Sequence, residues 1–117
     1  MEIKRITVNG KEVEFVNQSR GTRTGFAHDT TVFINGYEYG EATCIYYNRT
    51  WERYTYQTVM RKAIYALQER LTNRLREEFK AERGYQKLTA KRQAEFYEYR
   101  DADEGIAFYE AILKELE

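Results

Sequence analysis

The 117-residue sequence predicts an α+β fold: a four-stranded antiparallel meander sheet packed by one long helix, with a two-helix C-terminal extension. Two Asn-Gly pairs, each between runs of β-branched and aromatic residues, predict tight hairpins in the first half. Apolar residues then recur at helical spacing from about residue 56. Because strands precede helices instead of alternating with them, a doubly wound fold is disfavoured. The length and order predict a single domain, with residues 1–57 forming the sheet and residues 58–117 the helical part.

The first hairpin is centred on Asn9-Gly10. Asn and Gly tolerate the positive φ angles that a type I′ turn requires. A two-residue turn at this position places Ile6 opposite Val13 on one face of the sheet. The predicted strands cover about residues 3–8 and 11–17.

The second hairpin is centred on Asn35-Gly36, with strands over about residues 25–34 and 37–48. An uninterrupted register from this turn gives an apolar row along one face, as a half-buried sheet requires. The expected opposed pairs are Ile34 with Tyr37, Val32 with Tyr39, and Phe26 with Ile45.

A polar segment at residues 17–25 separates the two hairpins. It contains two Gly together with Arg20 and Arg23, and it has no apolar period. This composition predicts a loop or a splayed hairpin tip. Loops of this kind often carry binding residues, and simple mobility is the alternative interpretation.

The second half predicts three helices. The long helix starts near a Thr55 or Thr58 cap and ends at Gly84, and a second helix starts at a Thr89 cap. The third helix follows Asp103. The apolar positions expected to face the core are Val59, Ala63, Ile64, Leu67, Leu71, Leu75 and Phe79 in the first helix, Phe96 and Tyr99 in the second, and Ile106, Tyr109, Ile112, Leu113 and Leu116 in the third.

Charge is distributed unevenly although the net charge is zero. Residues 58–92 contain ten Lys or Arg and four Glu, whereas residues 93–117 contain two basic and eight acidic residues. The simplest interpretation is that the two parts neutralise each other in the folded chain. The alternatives are a basic face for nucleic acid or an acidic face for a basic protein.

Aromatic residues are concentrated at the junction of the two halves. Residues 46–56 contain the only Trp, Trp51, four Tyr including Tyr54, and both Arg49 and Arg53. Trp, Tyr and Arg dominate the binding energy of protein interfaces, and aromatic rings also stack on bases. The segment therefore predicts a recognition surface. The alternative is a structural hinge that covers the end of the sheet.

Residues suited to catalysis or metal binding are scarce. One His and one Cys, His28 and Cys44, cannot supply the four ligands of a structural zinc site, and no phosphate-binding glycine loop is present, so no cofactor is expected. The uninterrupted register places His28 and Cys44 on opposite faces, out of hydrogen-bond reach. A metal-independent ribonuclease built from His28, Arg20, Arg23 and Tyr46 remains a minor alternative.

The run from Asn48 to Val59, followed by a helix, resembles a segment of small uncharacterised proteins encoded by phages and integrative elements of Gram-positive bacteria. The strand at residues 25–28 and the strand ending at Tyr47 belong to the same resemblance, which covers about residues 15–70. Such elements often encode proteins that block host defences, including anti-CRISPR proteins. The resemblance implies that context and carries no catalytic chemistry.

The leading hypothesis is a non-catalytic inhibitor that occludes a host protein, a Cas effector or its guide complex, in the bacterial cytoplasm. A single cysteine and the lack of an apolar run long enough for a membrane span agree with this location. The open sheet edges and the C-terminal helices also favour a homodimer. The expected partner-binding residues are Trp51, Arg53, Tyr54, Arg49, Arg20, Arg23, Glu98, Asp101, Asp103 and Glu104. The second hypothesis is a small nucleic-acid-binding accessory protein, in which basic side chains contact phosphates and rings stack on bases.

Overall fold

The computed structural model describes residues 1–47 and 56–117 and confirms the α+β architecture. Four antiparallel strands lie in the sheet in chain order, and three helices follow them. The elements are β1 (Glu2–Val8), β2 (Lys11–Gly21), β3 (Gly25–Ile34), β4 (Tyr37–Tyr47), α1 (Tyr56–Arg83), α2 (Ala90–Asp101) and α3 (Glu104–Glu115).

Both Asn-Gly pairs form the predicted turns. Asn9 and Asn35 have φ angles of 50° and 49°, and the glycines that follow them have φ angles of 78° and 83°. These left-handed values match the twist of the flanking strands. In the first hairpin Ile6 lies opposite Val13, as predicted.

The second hairpin contains a β-bulge that the uninterrupted register did not predict. Ile34 lies opposite Tyr37 as expected, but Phe33 pairs with Glu38 and Val32 pairs with Gly40. Tyr39 is the extra residue on β4. From this point the partners shift by one residue, so the predicted pairings of Val32 with Tyr39 and of Phe26 with Ile45 are wrong. Phe26 lies opposite Tyr46 instead.

The bulge brings Gly40 beneath helix α1. A β-carbon added at Gly40 would lie 2.9 Å from Cδ2 of Leu67. Leu67 is itself buried in the main core. The close approach of β4 and α1 at this point therefore requires a residue without a side chain, which explains why the register changes here.

Gly40→Ala is expected to lower the free energy of unfolding by about 1–3 kcal/mol, because the added methyl group forces Leu67 to move within a packed core. Chemical unfolding followed by circular dichroism measures this loss. Gly21→Ala is the matched control, because nothing lies within 4 Å of a β-carbon there. Equal losses for the two variants would show that the contact with Leu67 does not restrict position 40.

The segment at residues 17–25 is mostly strand, and the prediction of a loop there is wrong. β2 and β3 remain paired as far as Gly21 opposite Phe26, which leaves residues 22–24 as the connection. Ser19 lies directly opposite His28. Polar pairs across the two strands maintain the ladder in this region without an apolar period.

The main core lies between one face of the sheet and helices α1 and α3. α1 begins at Tyr56, so Thr58 lies inside the helix and is not its cap, whereas Thr55 falls outside the described residues. As predicted, the helix ends before Gly84, whose φ angle is 67°. The buried members of this core are Val8, Val13, Phe15, Val32, Ile34, Met60, Ala63, Ile64, Leu67, Phe108, Ile112, Leu113 and Leu116.

The second half of α1 packs with α2 in a separate aromatic cluster. Phe79 and Phe96 are buried, with ring centroids 5.6 Å apart, and Tyr85 and Tyr99 pack around them. The guanidinium of Arg83 lies 4.0 Å from the centroid of Phe79. α2 starts at the predicted Thr89 cap, and the Asp103 carboxylate caps α3 by accepting from the Gly105 and Ile106 N–H groups.

Side chains from α1 reach the backbone of the edge strand β4. Lys62 Nζ donates to the carbonyl oxygen of Thr43 at 2.7 Å, and Arg70 donates to that of Tyr39 at 3.4 Å. Alternate backbone groups of an edge strand have no strand partner on the open side. The two basic side chains therefore satisfy carbonyl groups on β4 in addition to carrying surface charge.

Candidate functional site

A cluster of four rings lies where β3, β4 and the start of α1 meet. The Phe26 and Tyr46 rings stack with centroids 5.2 Å apart. The His28 ring lies 5.5 Å from that of Tyr46 and 4.7 Å from that of Tyr56. Tyr46 is 8% exposed, whereas His28 and Tyr56 are half-buried. The cluster fixes the first turn of α1 against the sheet.

Ser19 links three elements of this cluster through its hydroxyl group. Its Oγ lies 2.6 Å from Nδ1 of His28 and 2.7 Å from the hydroxyl oxygen of Tyr56. The hydrogen bonds join β2, β3 and α1 at one point. Sequence reasoning missed the roles of Ser19 and Tyr56, because the segment containing Ser19 was interpreted as a loop. Pairing β2 with β3 through a short connection at residues 22–24 would have placed Ser19 opposite His28.

The ring cluster contains the first and last residues of the aromatic segment at residues 46–56. The rings of Tyr46 and Tyr56 both pack on His28. Four of the predicted partner-binding residues, Trp51, Arg53, Tyr54 and Arg49, belong to residues 48–55 and lie outside the described residues. The two described residues that end the segment therefore contact the same ring.

The corrected register changes the expected relation between His28 and Cys44. The two residues lie opposite each other on β3 and β4, so the prediction that they point to opposite faces is wrong. Residues paired across antiparallel strands share a face. Nδ1 of His28 nevertheless lies against Ser19, and Cys44 is partly buried. The argument that His28 and Cys44 cannot interact because they lie on opposite faces therefore does not hold.

Arg20 and Arg23 occupy different environments at this end of the sheet. Arg20 lies on the face of the sheet opposite α1, where its Nε donates to Oδ2 of Asp29 at 2.8 Å. Arg23 is exposed in the connection between β2 and β3. Both residues are exposed, but Arg20 already has a carboxylate partner.

The Asp29 carboxylate has a lowered pKa, first because it accepts a hydrogen bond from the Thr43 hydroxyl and also because Arg20 lies beside it. A carboxylate with a lowered folded pKa stabilises the fold above its unfolded pKa of 3.8. That contribution is lost as the pH falls through the lower folded value.

We therefore expect Asp29→Asn to reduce the free energy of unfolding at pH 7. The difference from the parent chain should shrink as the pH is lowered below about 4, where the parent carboxylate itself becomes protonated. Urea titrations at pH 7, 4 and 2.5 measure the effect. A difference that stays constant over this range would show that the ionised form of Asp29 does not stabilise the fold.

The predicted acidic residues lie at the other end of the sheet, at the junction of α2 and α3. The Asp101 carboxylate accepts from Arg100 at 2.9 Å, and Asp103 caps α3. Glu98 and Glu104 are exposed. Asp103 and Glu104 lie near Ile34 and Lys11, which flank the two Asn-Gly turns, so the acidic residues are far from Arg20 and Arg23 along the strands. Among the described residues, the structure therefore does not join the two arginines and the four acidic residues into one continuous site.

Most basic residues between positions 58 and 92 contact other groups of the fold. Eight of the ten form a hydrogen bond or ion pair, or lie over an aromatic ring. Arg61, for example, donates to the carbonyl of Leu113 at 3.1 Å and thereby links α1 to α3. The eight are Arg61, Lys62, Arg70, Arg74, Arg76, Lys80, Arg83 and Arg92.

Comparison of the chain with family models, curated proteins and solved structures found no match.

Several rings of the described residues lie outside the two cores. Tyr37 is 75% exposed, and Tyr39, Tyr65 and Tyr97 are between 45% and 50% exposed.

Over residues 1–47 and 56–117, no three His, Cys, Asp or Glu side chains are placed to hold a metal ion. No helix in this part of the chain is long and apolar enough to cross a membrane.

Proposed function

We propose that this chain is a non-catalytic binding protein that inhibits a host protein by occlusion, and that its target is a Cas nuclease or the guide complex of that nuclease. The observation that carries the proposal is the ring cluster around His28, which contains both Tyr46 and Tyr56. A segment rich in Trp, Tyr and Arg is attached to the fold at this rigid point. Fixing the ends of a recognition segment lowers the entropy lost on binding.

The contacts of the basic residues favour a protein partner over nucleic acid. Phosphate binding uses Lys and Arg side chains whose N–H groups are available. On α1, Lys62 is bound to the backbone of β4 and Arg83 lies over Phe79. These side chains contribute to the fold, so a continuous track for phosphates is not required to explain the basic composition.

The separation of the described predicted residues supports a principal contact near one end of the molecule. Trp51, Arg53, Tyr54 and Arg49 follow β4 in the chain, and Arg23 is exposed near the same end. The acidic residues lie toward the other end of this protein, which is 50 Å long. They form a second contact only if the target spans most of that length. The proposal therefore places the main binding energy at the aromatic end.

Inhibition of a guide-loaded Cas effector tests the proposal. Purified protein is added to the effector before its DNA substrate, and cleavage is measured together with complex formation by gel filtration. We expect cleavage to fall as a stoichiometric complex forms. In bacteria whose CRISPR system targets a phage, expression of the chain should raise the plaquing efficiency of that phage.

Unchanged cleavage at an excess of protein over each effector type, together with the absence of a complex, would contradict the choice of target. Inhibition that keeps growing with time at substoichiometric protein would contradict occlusion, because a binder acts only on the molecules that it occupies. Heat-denatured protein is the control for non-specific effects on the assay.

A further inference from the structure

A second surface, remote from the ring cluster, has the features of a ligand site. A cleft of about 620 Å³ lies between α1 and α3 at the Asn-Gly turn end of the sheet. This volume is in the range of small-molecule sites, about 300–1,000 Å³. Leu67, Leu71 and Phe108 supply apolar contacts, and the polar groups described below surround them.

Positive charge exceeds negative charge around the cleft. Lys11, Arg70 and Arg74 line it together with Asp103 and Glu104. Arg70 and Arg74 are four residues apart on α1 and therefore share a face. The Asp103 carboxylate is occupied by the two N–H groups that it caps at the start of α3. The cleft thus has three cationic groups and two carboxylates, and one of the carboxylates, Asp103, already accepts two N–H groups as the cap of α3.

The two arginines retain hydrogen-bonding capacity for a ligand. Arg70 donates one hydrogen bond at 3.4 Å, to the backbone of Tyr39. Arg74 has a long ion pair with Glu78, at 3.8 Å, and its side chain is 71% exposed. A guanidinium has five N–H donors in a fork that matches the oxygens of a phosphate or carboxylate.

Two tyrosine rings line the same cleft. Tyr39 is the bulge residue of β4, and Tyr109 is half-buried on α3. Burial raises the pKa of Tyr109, with Tyr39 acting in the same direction and Arg70 and Arg74 opposing. At neutral pH its phenol therefore stays protonated and can donate a hydrogen bond. The rings add contact area suited to a planar group.

We propose that this cleft binds a small anion that carries a planar ring, the chemical class of a nucleoside monophosphate. The guanidinium groups of Arg70 and Arg74 bind the anionic group, and the Tyr39 and Tyr109 rings contact the planar part. Arg70, Arg74, Tyr39 and Tyr109 are not among the predicted partner-binding residues, so this inference does not depend on the proposed inhibition of a host protein.

Titration of the full-length, isotope-labelled chain by NMR tests the inference, with AMP, GMP, CMP and UMP as separate probes. We expect saturable shift changes confined to residues that line the cleft. Inorganic phosphate alone and the parent nucleosides should each bind at least about tenfold more weakly than the best nucleotide, because each supplies one part of the recognition.

Arg74→Gln removes one guanidinium from an exposed position and should weaken binding about tenfold without loss of the folded spectrum. Arg23→Gln makes the same charge change at the other end of the sheet and should leave affinity unchanged. Tyr39→Leu should lower affinity for the nucleotide but not for phosphate. Absence of saturable shifts up to millimolar nucleotide would overturn the inference, as would equal losses in the Arg74 and Arg23 variants.

Discussion

Phe15→Ala is expected to lower the free energy of unfolding by about 3–5 kcal/mol, a large part of the stability of a single domain. Phe15 is completely buried in the main core, opposite Val32 on β3. Removing the ring eliminates its apolar burial and leaves a cavity beneath α1 and α3. Urea unfolding measured by circular dichroism gives the change through the midpoint and slope of the transition.

Phe33→Ala provides the matched control on the opposite face of the same sheet. Phe33 is adjacent to Val32 on β3 and only half-buried, and the described helices lie on the other face. Its loss should be clearly smaller than that of Phe15→Ala. Comparable losses for the two variants would contradict the assignment of the core to one face and would indicate that the second face is also covered.

Trp51→Ala is expected to weaken binding of the target about thirtyfold or more, because truncation of a central interface Trp removes at least about 2 kcal/mol. The thermal unfolding midpoint should change little if Trp51 acts in binding and not in the core. Titration of the inhibited effector by calorimetry, with parallel unfolding curves, measures both quantities.

Tyr97→Ala is a control, since Tyr97 is an exposed aromatic residue on α2, outside the predicted site. It should leave affinity unchanged. A folded variant that combines Trp51→Ala with neutralisation of the acidic residues tests the whole site assignment. The substituted acidic residues are Glu98, Asp101, Asp103 and Glu104. If this variant still inhibits at full strength, the predicted binding residues are incorrect.

The architecture was predictable because its signals are local. Asn9-Gly10 and Asn35-Gly36 specify tight turns through their own backbone preferences, and Thr89 and Asp103 cap helices through nearby N–H groups. The bulge at Tyr39 depends instead on the close approach of Gly40 to Leu67, residues separated by a strand and half a helix. A sequence pattern that involves only neighbouring positions does not predict such a tertiary contact.

The candidate site was less predictable for a related reason. Ser19, His28 and Tyr56 converge only when β2 and β3 extend through a polar segment. Such a segment lacks the alternation of polar and apolar residues by which a strand is detected. The acidic residues present a different problem. Composition alone does not reveal that the Asp103 carboxylate accepts N–H groups as the cap of α3.

The bond from Lys62 to the Thr43 carbonyl has a consequence for the behaviour of concentrated protein. An unprotected edge strand is a template to which strands of other chains can pair, and repeated pairing produces fibres. An incoming chain would have to displace the ammonium group from its acceptor. Displacing this group adds a cost to templated growth on β4, and we expect a substitution at Lys62 to promote fibre formation in stored samples while leaving the native fold intact.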